Sequence, residues 1–270
     1  MVGSILGTAD DRFSFNLQQK ALESRLGIPL MFCADIIHGC RTSFPVNLAM
    51  SGSFDLKLVE ESMKVAAYEA AHSGVDLVFS PMLDLVRDPR WGRVMESNGE
   101  DPFLSSKLAK AYVKGYQQDE LASYDTVASC LKHYCCYGAA EGGREYNTVD
   151  ISNTRLHNLY LPAFKAGIDA GSTMVMSSFN VFNDVPVTMN KYLLRDVLRD
   201  ELGFSGVVIS DYTSSGETIS HKCSLDEREV AKNCIIAGLD HEMISPTYAK
   251  YLEELVLNKE VSQSLIDEAC

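Results

Sequence analysis

The sequence predicts an α/β fold of the TIM-like (β/α)8 barrel type, in a complete or in an incomplete and distorted form. Apolar, strand-like runs alternate with amphipathic, helix-like runs along most of the chain. No glycine-rich phosphate-binding motif follows any strand candidate, which disfavours a doubly wound nucleotide-binding sheet. The chain has 270 residues, of which 46% are hydrophobic, and a single barrel needs roughly 250 residues. We therefore interpret residues 1–270 as one barrel domain.

The strand candidates are short, largely apolar runs, the clearest being the β-branched run 207–210, which is typical of a strand buried on both faces of a parallel sheet. They cover residues 3–6, 28–34, 76–81, 128–134, 173–179, 207–210 and 238–243. Helix candidates lie between them and after them, at 14–26, 55–73, 104–118, 153–169, 191–202, 225–237, 246–258 and 262–270. Repeated strand–helix alternation predicts a parallel sheet with right-handed crossovers.

Glycines mark the ends of several helix candidates. Gly27, Gly74 and Gly203 follow three of the predicted helices, at the position where a residue in the left-handed conformation commonly ends a helix. This punctuation supports the helical interpretation of the amphipathic runs.

The overall charge and the cysteines exclude several classes of protein. The formal net charge is −13, whereas binding to nucleic acid or to an anionic membrane surface requires clustered Lys and Arg. No apolar run approaches the length of a membrane span. The eight cysteines are scattered and form no CxxC pair, which is typical of reduced thiols in a cytoplasmic protein. We expect neither nucleic acid nor a membrane as a partner.

Charged side chains collect where the predicted strands end. Asp35 follows the run 28–34, Lys132 and His133 lie near the end of 128–134, and Asp211 follows 207–210. The carboxyl ends of parallel strands meet at one mouth of a barrel, and barrel enzymes keep their active sites there. We therefore expect these side chains to share a polar pocket.

Donors and acceptors of this kind suit the hydroxyl groups of a sugar, and Trp91 could supply an apolar wall. Each residue also has a purely structural alternative. Asp211 could cap the following helix, Asp35 could be a turn residue, His133 and Trp91 could belong to the core, and 87–90 could be a salt-bridged surface loop. Their joint occurrence at strand ends favours a binding site.

At these positions the sequence resembles the barrel domain of family 3 glycoside hydrolases, the β-glucosidase and β-xylosidase family. The resemblance rests on 35–41, on 88–93 (DPRWGR), on 132–134 with 138–147 (GAAEGGREYN), and on 203–212 (GFSGVVISDY). These motifs occur in the family's order and spacing, within a similarity that runs from about residue 3 to residue 269.

The resemblance implies retaining hydrolysis of terminal, non-reducing β-D-glucosides or β-xylosides in oligosaccharides or aryl glycosides, without a cofactor or a metal. Asp211 matches the family's nucleophile. The positions that match sugar-binding residues are Asp35, Arg41, Arg93, Lys132, His133, Arg144, Met176 and Tyr212. A retaining enzyme also needs a carboxylic acid roughly 5 Å from the nucleophile, to protonate the leaving oxygen. Lys132 and Arg93 would favour the ionised form of Asp211.

Three departures from the family pattern stand out. Phe179 replaces a usual Tyr, and Tyr212 replaces a usual Trp. In multi-domain relatives a second domain carries the acid/base, and in single-domain relatives a His in an Asp-Ser-His context does so, but the loop 137–144 has no such His. We expect a piece of a longer enzyme that lacks segments at both ends, with a C-terminal domain supplying the acid/base. Loss of a general acid typically costs about 10²–10⁴-fold in rate.

Other interpretations remain open from the sequence. If an acid lies within the chain, Glu141 and Glu145 are the first candidates. A lyase could use Lys132 as a Schiff base. Metal-assisted hydrolysis could use Asp35, His38, His133 and Asp211, although no HxH or HExxH spacing occurs. A non-catalytic sugar-binding barrel is the main alternative to a truncated enzyme.

Overall fold

The computed structural model describes residues 3–7 and 9–270. Its main feature is a six-stranded, entirely parallel sheet in the order β1-β2-β3-β4-β6-β9. The strands are β1 Ser4–Leu6, β2 Met31–Ala34, β3 Leu77–Val78, β4 Ala128–Tyr134, β6 Met174–Ser177 and β9 Val207–Ser210. Each of the first six strand candidates contains one of these strands, and two candidates match theirs residue for residue. A small second sheet, of β5 Thr148–Val149, β7 Val181–Phe182 and β8 Val185–Pro186, was not predicted.

Helices occupy the connections between the strands, as the sequence predicts. They are α1 Asp11–Leu22, α2 Asn47–Ser51, α3 Leu56–Ala71, α4 Pro102–Gln117, α5 Asn153–Arg155, α6 Pro162–Asp169, α7 Ser214–Ser220, α8 Glu227–Ala237, α9 Thr247–Leu257 and α10 Gln263–Ala269. The short helices α2 and α7 were not predicted. None of the described helices is long and apolar enough to span a membrane.

Two helix candidates differ from a regular α-helix. The candidate 153–169 is divided by the π-helical segment Leu156–Tyr160, after which Pro162 begins α6. The candidate 191–202 forms the π-helical segment Tyr192–Glu201. Gly27, Gly74 and Gly203 all have positive φ values, as predicted. Of the three, only Gly203 directly follows a C-cap residue, Leu202, whereas α1 and α3 have their C-caps earlier, at Glu23 and His72.

The sheet is curled, and alternate side chains of its strands enter two different cores. Met174 and Met176 of β6 pack on the concave side against Cys33, Leu77, Phe79, Cys130, Ile209 and Met243. Val175, between them, packs on the convex side in the large cluster that includes Leu131, Phe164, Val197 and Val208. This period of two is that of a strand buried on both faces. An inner core enclosed by a curled sheet and an outer layer of helices is the barrel-type architecture that the sequence predicts.

The barrel wall is incomplete between β1 and the segment after α8. The prediction of a strand at 238–243 is wrong. Within this range only His241 forms a bridge, to Ile209 of β9. The connection to β1 is a side-chain contact, in which Ser4 Oγ lies 2.8 Å from His241 Nε2. An apolar cavity of about 820 Å³ opens there, lined in part by Leu6, Leu30 and Ile244. The sequence predicts either a complete or an incomplete barrel, and the structure has the incomplete one.

We expect Gly115→Ala to destabilise the protein, because α3 and α4 pack closely at this glycine. A Cβ at residue 115 would lie 2.5 Å from Met63 Cβ and 2.7 Å from the Glu60 carbonyl oxygen. Overpacking of this kind costs about 1–3 kcal/mol in the free energy of unfolding, which urea denaturation measures.

Gly52→Ala is the matched control. Residue 52 has a helical φ of −65°, and the nearest atom to an added Cβ would be the Ala49 carbonyl oxygen at 3.5 Å. We expect this variant to be neutral or stabilised by up to about 1 kcal/mol. Equal stability of the two variants would contradict the close packing of α3 on α4.

Candidate functional site

The register of the parallel strands brings the predicted site residues to one edge of the sheet. Tyr134 of β4 lies beside Ser177 of β6, and Ser177 lies beside Ser210 of β9. The segment that follows β3 continues along β4, because Met82 forms a parallel bridge with Lys132. The ends of β3, β4, β6 and β9 are therefore level, as a shared pocket requires.

An irregularity in β4 lets two consecutive side chains reach this pocket. The β4–β6 register shifts between Leu131 and Tyr134. In a regular strand Lys132 and His133 would point to opposite faces, whereas such a break can re-aim a side chain. Here Lys132 contacts Asp35, and His133 contacts Asp211.

Asp211 lies at the end of β9 with little exposure, its side chain being 12% accessible. Its Oδ1 accepts a hydrogen bond of 2.6 Å from the backbone N–H of Tyr212. Its Oδ2 lies 3.4 Å from His133 Nε2. The alternative that Asp211 caps the next helix is wrong, since Thr213 occupies the N-cap position of α7 and no side chain bonds there.

His133 is buried between two carboxylates. Its Nδ1 lies 2.8 Å from Asp84 Oδ2, and the same oxygen accepts the backbone N–H of His133 at 3.0 Å. Burial raises the pKa of Asp84 to about 7 and lowers the pKa of His133 to about 3. Both shifts favour the uncharged form of the group, as expected for ionisable side chains removed from water.

The cationic side chains of the site are paired with carboxylates other than Asp211. Lys132 Nζ lies 2.6 Å from Asp35 Oδ1, with the lysine side chain 5% and the aspartate side chain 57% exposed. Arg93 donates to both carboxylate oxygens of Glu96, at 2.7 Å each. Both cations therefore have a nearer carboxylate partner than Asp211, and their effect on the ionisation of Asp211 stays a prediction.

Tyr137 is the centre of an aromatic cluster beside these polar groups. Its ring contacts those of Trp91, His133, Phe179 and Tyr146, with centroid distances between 5.3 and 6.1 Å. Trp91 is only 2% exposed and therefore belongs to the core. The prediction that it forms an apolar wall facing the sugar is wrong. The exposed rings are those of Tyr146 and Tyr212, at 47% and 53%.

Three predicted sugar-binding residues lie apart from these contacts. The side chains of Arg41 and Arg144 are exposed, and neither forms a hydrogen bond or an ion pair within the described residues. Met176 is buried in the inner core and pairs with Ile209, two residues before Asp211. Their roles in sugar binding stay predictions. His38, which a metal-assisted mechanism would need, has its Nδ1 3.0 Å from the Phe44 carbonyl oxygen.

Sequence reasoning missed several residues of the site. Asp84 contacts His133, Glu96 binds Arg93, and the Tyr137 ring packs against that of His133. Only Asp84 could have been found from the sequence, since it directly follows an apolar run. Glu217 lies on the unpredicted helix α7, and its pKa is raised by burial and by the nearby charge of Asp211. No pattern in the sequence identifies these partners, because they come from different elements.

Comparisons with known proteins identify the family of the chain. The model of the glycosyl hydrolase family 3 N-terminal domain matches residues 3–270. The crystal structure of a β-glucosidase from Listeria innocua in complex with isofagomine superposes with a TM-score of 0.97 at 49% identity, covering 99% of this chain and 38% of that one.

Two curated relatives show the same partial coverage. A periplasmic β-glucosidase of Salmonella typhimurium is 42% identical over 99% of this chain and 35% of its own length. A β-xylosidase of Formosa agariphila is 32% identical over 97% of this chain and 39% of its own length. The chain thus spans between a third and two fifths of these relatives.

We expect Tyr137→Phe to destabilise the protein, because the Tyr137 hydroxyl donates to Glu145 Oε2, and Glu145 Oε1 has no partner among the described residues. A hydrogen bond to a charged group contributes about 1.5–3 kcal/mol to the free energy of unfolding. Tyr112→Phe is the control, since the buried Tyr112 hydroxyl has no partner among the described residues and its removal should be neutral or stabilising. A comparable loss in both variants, measured by urea denaturation, would contradict this role of Tyr137.

Proposed function

Since the chain belongs to glycosyl hydrolase family 3, we propose that it carries the nucleophile of a retaining β-glycosidase. In this proposal Asp211 attacks the anomeric carbon of a terminal β-D-glucoside or β-D-xyloside. The bond to the leaving oxygen breaks, a glycosyl ester forms on Asp211, and water then hydrolyses the ester.

The observation that carries this proposal is the position of the Asp211 carboxylate. It lies at the carboxyl end of a buried strand and does not cap α7, and among the described residues its Oδ2 has only the 3.4 Å contact with His133. A nucleophilic carboxylate needs an oxygen that can approach the substrate. An aspartate that served only to hold the backbone would have its oxygens occupied by short hydrogen bonds.

Groups around Asp211 are suited to a sugar ring. The Asp35–Lys132 pair offers an acceptor and a donor at the exposed edge, Arg93 adds donors, and His133 borders the ring through its contact with Asp211. Neighbouring hydroxyl groups of a pyranose can bind such pairs at two points, which fixes the ring for attack. Arg41, Arg144, Met176 and Tyr212 complete the proposed sugar-binding set.

We place the acid that protonates the leaving oxygen outside these 270 residues. Glu141 is exposed, and Glu145 accepts a hydrogen bond from Tyr137. Glu217 is the third carboxyl group to test, because the charge of Asp211 acts on it. The chain spans little more than a third of its relatives, which leaves room for an acid on another part of a longer protein.

We expect Asp211→Asn to abolish formation of a glycosyl-enzyme. An amide cannot act as the nucleophile, so dinitrophenolate release from 2,4-dinitrophenyl β-D-glucoside and the mass increase of one glycosyl group should both disappear. Asp226→Asn is the control, since the Asp226 side chain caps α8 by accepting from the Glu229 N–H and Asn is an equally good cap. Phenolate release by Asp211→Asn at the wild-type rate would exclude Asp211 as the nucleophile. A barrel that only binds sugar would give no labelled protein even as wild type.

We expect the 270-residue chain to cleave cellobiose very slowly while it still reacts with the dinitrophenyl glucoside. A sugar leaving group needs protonation, and general acid catalysis is worth about 10²–10⁴-fold, whereas dinitrophenolate leaves without a proton. The measurement compares kcat/KM for the two substrates. Efficient cellobiose hydrolysis would place the acid within the chain, and Glu217→Gln, Glu145→Gln and Glu141→Gln would then identify it.

A further inference from the structure

His133 lies in a line of three buried polar groups that come from three different strand ends. Asp84 follows β3, His133 belongs to β4, and Asp211 follows β9. The contacts are 2.8 Å from Asp84 Oδ2 to His133 Nδ1 and 3.4 Å from His133 Nε2 to Asp211 Oδ2. The side chain of Asp84 is fully buried, so water does not compete for this arrangement.

Each of these two contacts is attractive only if a hydrogen lies between its two atoms. The Asp84–His133 and His133–Asp211 contacts together therefore need two hydrogens. A neutral imidazole beside an ionised Asp84 has its one hydrogen on Nδ1, and the lone pair of Nε2 then faces a carboxylate oxygen of Asp211, which is repulsive. With Asp211 ionised, as a nucleophile must be, two arrangements are attractive: either an imidazolium lies between two carboxylates, or a protonated Asp84 donates to Nδ1. Both of these arrangements have a hydrogen on Nε2.

We propose that Asp84 is a positioning residue that keeps a hydrogen on His133 Nε2, so that the imidazole donates to the Oδ2 of Asp211. This inference rests on the proposed function of Asp211 as the nucleophile. The backbone N–H of Tyr212 already binds Oδ1. With His133 on Oδ2, the plane of the carboxylate is held at both oxygens before the sugar arrives.

The length of the His133–Asp211 contact agrees with this role. At 3.4 Å it is longer than an ordinary hydrogen bond, and such contacts in an empty site often shorten when the substrate binds. Burial raises the pKa of Asp84 to about 7, which favours the arrangement with the proton on Asp84 over the imidazolium. The other charged groups that act on His133 are Asp211, Arg93, Lys132 and Glu96.

Asp84→Asn tests the proposal. The oxygen of the amide must replace Oδ2, because the backbone N–H of His133 needs an acceptor there. That oxygen can only accept from Nδ1, so a neutral imidazole has its hydrogen on Nδ1 and loses it from Nε2. Nitrogen-15 NMR of histidine-labelled protein distinguishes the two forms, with His133→Gln identifying the signals of residue 133.

We expect the wild-type spectrum to show a hydrogen-bearing Nε2 and the Asp84→Asn spectrum to show a bare Nε2. The rate of glycosylation by 2,4-dinitrophenyl β-D-glucoside should fall by up to about 10⁴-fold, the loss found when an amide replaces a carboxylate that fixes a histidine tautomer. Because the change acts on the nucleophile, kcat should fall more than KM rises.

Asp240→Asn is the matched control. Asp240 Oδ2, like Asp84 Oδ2, contacts one backbone N–H and one side-chain nitrogen, at 2.7 Å from Val208 N and 2.5 Å from an Arg199 guanidinium nitrogen, but it lies at the amino end of β9. We expect this variant to lose stability without a change in the His133 signals or in the rate of glycosylation. A role of Asp84 in stability alone would give the same result for Asp84→Asn.

A bare Nε2 in the wild-type spectrum, or an unchanged tautomer in Asp84→Asn, overturns the proposal. The wild-type spectrum decides the first point even if the variant does not fold. The NMR result does not depend on turnover. If Asp211→Asn remains active, the proposed nucleophile is wrong while the tautomer of His133 is still established.

Discussion

The in-register parallel pairing of β4, β6 and β9 is the constraint on which the site depends. It places Tyr134, Ser177 and Ser210 side by side, and Asp211 directly follows the last of them. A slip of one residue would turn the side chains of a strand to the opposite face. The register is specified strongly because both faces of the strands are buried, with Met176 in the inner core and Val175 in the outer core.

The site also depends on how its charges are distributed. Lys132 is almost fully buried, and its positive charge is balanced by Asp35, whose side chain remains half exposed. Such a pair is costly to break by removing one partner, but a ligand hydroxyl group can join it without leaving either charge unpaired. Arg93 and Glu96 form a second pair of this kind. Two preformed donor–acceptor pairs therefore lie near His133, whose imidazole is the nearest side-chain partner of the Asp211 carboxylate.

Regular elements were predictable where local pattern and tertiary packing agree. Strand 207–210 follows from its β-branched run and strand 128–134 from its place between two helix candidates, and the structure has both with the same bounds. The candidate 238–243 is more polar, since residues 240–242 are Asp, His and Glu, and only His241 forms a bridge to β9. Residues 241–243 instead border a cavity in the wall of the barrel. The π-helical form of Tyr192–Glu201 was likewise not predictable from local pattern, because its sequence has the periodicity of an ordinary amphipathic α-helix.

The sequence by itself determined the barrel class, most of the strands and the strand-end positions of Asp35, Lys132, His133 and Asp211. Only the tertiary structure decided which groups pair, which rings are exposed, and that Asp84 and Glu217 belong near Asp211. The physical reason is separation along the chain. Lys132 and Asp35 are 97 residues apart, and His133 and Asp84 are 49 apart, so no local pattern relates them. The break in the register of β4, which turns two consecutive side chains into one pocket, likewise arises only when the strands pair.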